Sequence, residues 1–182
     1  NRVAFGITDD EIVKEASKQE VIRRYLIAKS DYVKGNCEID VVERLQLIME
    51  SLGIKEEDRK VILPAREKAQ KMKKEMKNDE IASAIAIELS DGMILTGKTT
   101  KFMDASAAVI LNALKYYADI SDDMLLLAPL VLEPIQKLKN KISISQAVAL
   151  NVEEVLIALS ICAATNTMAE KALSKIDMLK NC

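Results

Sequence analysis

The sequence predicts a mixed α+β (or α/β) chain: a helical hairpin followed by a small mixed sheet flanked by helices. Three observations predict it. Apolar residues recur at helical spacing through the first third of the chain. From Ala82 the period switches to two, and Ser90-Asp91-Gly92 supplies turn residues between the alternating runs. Beyond Asp104 the pattern becomes helical again, with several segments apolar on most sides. The 182 residues suffice for one domain or two small ones. The expected division is a helical part over 1–60 and an α/β part over 61–182, the latter truncated at its C-terminal end.

Thr8-Asp9-Asp10-Glu11 has the form of a capping box, with Thr8 accepting and Glu11 reaching back. The helix it opens is expected to run to Lys34, where Gly35-Asn36 is a left-handed stop. Ile12, Ala16, Ile22 and Leu26 lie near one of its faces. A second helix follows Asp40, with Val41, Val42, Leu45, Ile48, Met49 and Leu52 at helical spacing before Gly53 closes it. Pro64 suits the first turn of a third helix, to about Lys77. Its basic run (Lys68, Lys71, Lys73, Lys74, Lys77) is interrupted by Glu67 and Glu75 and reads as a solvated face.

Ala84–Leu89 and Met93–Thr96 are the two arms of a hairpin. The helix Asp104–Tyr117 buries Ala105, Ala108, Val109, Leu111 and Leu114, with Ala107 and Ile110 on the other flank. Asn112 within it is a ligand contact or, more commonly, a buried hydrogen-bonding residue. Met124–Leu127 is a strand candidate ended by Pro129, and the helix after it carries Val131, Ile135 and Leu138 and is disturbed by Pro134. Asn151 caps a helix whose body, Val155–Ala164, is apolar all round and therefore buried on two faces or covered by a partner. Asn166 caps a last helix, Thr167 to about Leu179.

Composition narrows the function classes. Hydrophobic residues at 49% with 30% charged exclude disorder. A net charge of −2 and 3% aromatic residues count against nucleic-acid binding, and no run is apolar enough to span a bilayer. Cys37, Cys162 and Cys182 have no close spacing and follow no signal peptide, which points to reduced thiols in the cytoplasm. With no histidine, the commonest metal ligand and the commonest neutral-pH base are missing. The eight methionines read as core filler, and no catalytic residue, metal or cofactor is expected from these residues. A start at Asn1 rather than Met reads as a fragment of a longer protein.

Gly92-x-x-x-x-Gly97-Lys98-Thr99 formally matches a phosphate-binding loop. Its intervening residues, Met93-Ile94-Leu95-Thr96, suit a strand, and Asp104 lies too far on to place a helix N-terminus under the loop. What survives is a candidate phosphate-binding corner, Gly97, Lys98 and Thr99, against the plainer reading that Gly97 permits a turn while Lys98 stays in water. Asp9-Asp10 and Asp122-Asp123 read as helix-start charges. The hairpin-then-helix order resembles the opening of a nucleoside deaminase, but Ala105–Tyr117 holds no His, Cys or acid, so a zinc site is not expected. Cys162 reads as a small buried apolar residue.

The segments Glu15–Tyr25, Ala86–Thr100, Ala107–Lys115, Glu133–Lys139 and Glu153–Asn166 resemble, in order, the bacterial domain of unknown function 1846 family. The resemblance implies a longer protein with a P-loop-type α/β domain in front, then a helical insertion and a C-terminal subdomain of deaminase-like topology. The leading expectation is a noncatalytic structural or interaction region of a nucleotide-related bacterial protein. Its expected partners are its own N-terminal domain and a second copy of itself, with no nucleic acid and no membrane. The alternative is an enzyme whose active site includes the Gly97–Thr99 corner and binds phosphate or nucleotide there.

Overall fold

The computed structural model describes residues 9–75, 83–142 and 149–181. They divide into two units, Asn1–Ile62 and Leu63–Cys182.

In the first unit Asp9 is the N-cap of α1 (Asp10–Val33), its carboxylate accepting from the Glu11 and Ile12 amides at 2.9 and 3.2 Å. The expected cap, Thr8, lies outside the described residues. An Asp in extended backbone just ahead of the helix is as good an acceptor as Thr. Gly35, at φ +77°, ends α1: its amide reaches Tyr32 O and that of Asn36 reaches Asp31 O, the paired bonds of a left-handed stop. Gly53 repeats the device after α2 (Ile39–Leu52), with Ile54 N on Met49 O at 3.0 Å. Ile22, Tyr25 and Ala28 of α1 bury against Val42 and Met49 of α2 and against Ile54. Ile12 and Ala16, expected on that face, are exposed, as are Ile48 and Leu52.

In the second unit α3 (Ile62–Glu75) carries Pro64 in its first turn, where the missing N–H costs nothing. Strand β1 (Ala84–Glu88) pairs antiparallel with β2 (Ile94–Lys98), from Ala84 opposite Lys98 to Glu88 opposite Ile94. The three-residue loop puts Gly92 at φ +84°, with Gly92 N on Leu89 O and Leu89 N on Met93 O. The sheet among the described residues is this two-stranded antiparallel hairpin. The expectation of a mixed sheet is met there only by one isolated parallel bridge, Met103 to Leu150.

The helix α4 (Ala105–Tyr117) packs between the hairpin on one side and α6 (Val152–Ala163) and α7 (Thr167–Leu173) on the other. That sandwich buries Ala105, Ala107, Val109, Leu111, Ala113 and Leu114. Met124–Leu127 is not a strand: Leu126 and Leu127 enter the core from an irregular loop, and a four-residue apolar run cannot be told from such a loop by periodicity. Pro129 begins α5 (Pro129–Ile142) instead of merely ending the segment, and Pro134 lies within that helix. Asp122 and Asp123 cap no helix; Asp123 accepts from the Ser121 hydroxyl. Of the methionines, Met49 and Met72 are buried, while Met93, Met124, Met168 and Met178 stand exposed and fill no core. The last helix breaks at Leu173 and resumes as a 3-10 segment, Ile176–Asn181.

Asn151 and Glu154 cap α6 reciprocally, at 2.8 and 2.9 Å. Glu154 also accepts from Lys139 of α5 at 2.7 Å. Burial pushes the Glu154 carboxyl up, but the Lys139 ammonium and the Asn151 amide outweigh it and hold the carboxyl below its ordinary 4.5. A carboxyl with a lowered folded value stabilises fully above its ordinary value, and the gain is lost as pH falls through the folded one. Replacing Lys139 with Met should therefore cost about 1–2 kcal/mol in urea unfolding near neutrality, with the gap from wild type closing in acid. A gap that stays constant into strong acid would show that the pair does not act through charge.

Candidate anion site

Two turns of α4 place Ala108, Leu111, Asn112 and Lys115 at i, i+3, i+4 and i+7, so they share one face. Thr96 and Lys98, two apart on β2, share a strand face. With Lys68 of α3, Thr100 and the apolar loop Leu125–Leu127, they line a cavity of about 270 Å³. Its polar lining is Lys68, Thr96, Lys98, Thr100, Asn112 and Lys115: three cations and no acid.

Lys115 is the unusual member, only 8% exposed. Its ammonium donates to the Asp122 main-chain carbonyl at 2.9 Å. Among the described residues, no carboxylate forms an ion pair with Lys68, Lys98 or Lys115. Burying an ammonium is costly; the Asp123 carboxylate lies within electrostatic reach of Lys115 and offsets part of that cost, and an anion in the basic cavity offsets more. Asn112 spends its Nδ2 donor on the Thr96 carbonyl at 2.9 Å while still facing the cavity, so it both bonds within the core and lines the site.

Of the corner expected to hold phosphate, Lys98 alone lines this cavity. Gly97 sits inside β2, where a Cβ would lie 2.4 Å from Val109 N and 2.5 Å from Ala105 O. Its role is close approach between strand and helix, and no left-handed turn requires it there. The Thr99 amide continues the ladder by donating to Ser83 O at 3.0 Å. The chain turns later, where Thr100 Oγ1 accepts from the Phe102 and Met103 amides and Asp104 caps α4 through the Ala107 amide at 2.7 Å. Met93–Thr96 form no cradle of free amides. Lys68, read from sequence as part of a solvated stripe, is half-buried at the cavity, while Lys71, Lys73 and Lys74 are exposed; Lys77 lies outside the described residues. Lys115 was the missed residue. Its signal was a lone lysine in a helix otherwise apolar on both flanks.

No group of three or more potential metal ligands occurs among the described residues. None of their helices is long and apolar enough to cross a membrane.

Residues 57–182 match the model of the domain of unknown function DUF1846, C-terminal, and residues 1–53 match its N-terminal counterpart. The chain belongs to the DUF1846 family. Among its relatives are proteins called UPF0371 protein in Clostridium botulinum: 56% identical in strain Kyoto / Type A2, 55% in strain Langeland / NCTC 10281 / Type F and 54% in strain Alaska E43 / Type E3. Each comparison covers all 182 residues of the chain and 36% of the relative, so the chain spans about a third of the length of those proteins. The hairpin α1–α2 thus falls in the N-terminal DUF1846 domain, and the basic cavity in the C-terminal one.

Proposed function

We propose that the C-terminal DUF1846 domain binds the phosphate group of a small molecule in the Lys68–Lys98–Lys115 cavity. The observation that carries this reading is the convergence of three lysines on one cavity lined by no acid. At an effective dielectric of about 20, a unit charge pair about 4 Å apart gains roughly 4 kcal/mol before desolvation, a gain that water reduces at the exposed Lys98 and the half-buried Lys68 and least at the buried Lys115. Lysine acts on phosphate as a point charge and needs no planar pairing geometry. A volume of about 270 Å³ lies near the small end of the range for ligand pockets, roughly 300–1,000 Å³. It suits a phosphate monoester, or the terminal phosphate of a nucleotide whose remainder lies outside. The polar lining offers three lysines, two threonines and one asparagine, with no carboxylate, histidine or cysteine among it. The site therefore serves binding, and any chemistry belongs to groups brought by the rest of the longer protein. A cytoplasmic setting fits the free thiols of Cys37 and Cys162.

Titration of the whole protein with inorganic phosphate and with a nucleoside triphosphate tests the reading. Lys98→Ala should weaken binding about tenfold or more, since a charge-assisted hydrogen bond contributes roughly 1.5–3 kcal/mol. Rising salt should weaken it further. Equal affinity in wild type and variant would remove Lys98 from the site. A second reading, an interaction region, is favoured for the hairpin by its exposed apolar residues.

A further inference from the structure

The α1–α2 hairpin buries six apolar residues between its helices and the Ile54 turn, and leaves more of them outside. Val33 is 81% and Leu47 64% exposed, and Ile12, Ile27, Ile48 and Leu52 are exposed too. Each helix of a packed layer buries one stripe against a neighbour. Here each helix carries several large apolar side chains beyond the stripe it gives the other, more than an outer helix face set against water normally shows.

We infer that this surface is the docking face for the part of the N-terminal DUF1846 domain that lies outside these 182 residues. Three facts name that occupant. The N-terminal family match runs over residues 1–53 and stops where α2 stops, at Leu52, so the hairpin is a portion of that domain. The relatives extend far beyond the chain, which covers 36% of their length. A two-helix unit has too little core to stand as a domain of its own. The hairpin is then an interior layer of the front domain, tethered in sequence to the cavity-bearing unit.

Two measurements on the whole protein test this. In amide exchange, Leu47→Glu should speed exchange through α1 and α2 tenfold or more, because it forces a carboxylate into the docked face. Glu43→Gln, a change of charge of the same size and opposite sign at an exposed polar position of α2, should leave exchange unchanged. If Leu47→Glu behaves like Glu43→Gln, the face is open and the inference fails. Amine-directed cross-linking from Lys34, beside Val33, then identifies the occupant in a mixture of isotopically light and heavy protein. Cross-links within one molecule to residues of the front domain are the expected result. Cross-links predominantly to residues 63–182, or between light and heavy copies, would assign the face to another occupant and overturn the inference.

Discussion

Gly97→Ala should be among the most damaging single-methyl additions in this chain, lowering the stability of the unit 63–182 by about 3 kcal/mol. The added carbon would sit 2.4 Å from Val109 N, 2.5 Å from Ala105 O and 2.8 Å from Val109 Cα. All three are main-chain atoms of α4, so no side chain can swing aside, and the helix itself must retreat. Its far side is closed by the same core: Ala113 and Leu114 are fully buried, with Ala158 and Leu159 of α6 beyond. Close-packed interiors resist such a shift. The thermal midpoint should fall by on the order of 10 °C. Gly92→Ala is the comparison. There a Cβ meets nothing within 4 Å, and the cost is only the left-handed backbone at φ +84°, about 1–2 kcal/mol. If the two substitutions cost the same, the strand–helix approach is looser than these distances state.

Lys115→Met should separate folding from binding. Methionine keeps the length and apolar body of the side chain and removes the buried charge. Replacing a sequestered charge with an apolar group of similar volume is commonly neutral or stabilising. The Asp122 carbonyl that loses its donor belongs to an exposed residue and finds water instead. Urea unfolding should therefore be unchanged or shifted to higher denaturant, while phosphate affinity falls about tenfold to a hundredfold. A variant that unfolds readily yet still binds phosphate with wild-type affinity would make Lys115 a structural prop and take the buried cation out of the site. The pair Lys98→Ala and Lys115→Met also weighs an exposed cation against a buried one, and the buried one should matter more because water screens it less.

Much of this architecture was legible residue by residue. The stops at Gly35 and Gly53, the turn at Gly92 and the cap at Asn151 are local chemistry, decided within four or five residues of chain. The same holds for the rejection of a phosphate loop, since Ile94-Leu95-Thr96 could only pair as a strand. Local pattern misleads where long-range contacts decide. Met124–Leu127 has strand composition, yet only Leu126 and Leu127 are buried, and they enter the core from a loop. Gly97 looked like a turn residue because a glycine needed for close approach carries the same letter as one needed for a left-handed φ. Lys68 looked solvated because its neighbours Lys71, Lys73 and Lys74 are.

The order of the helices, the stops at Gly35 and Gly53, the cap at Asn151 and the place of the hairpin were written in the chain's own pattern, because helix and strand periods, caps and turns depend on neighbours a few residues apart. Only the folded molecule brought Lys68, Lys98 and Lys115 to one cavity, across 47 residues of sequence spacing read from the first to the last. Charge gathers through tertiary contact, and no local pattern announces it: a lysine's environment is set by whichever distant surfaces the core draws together.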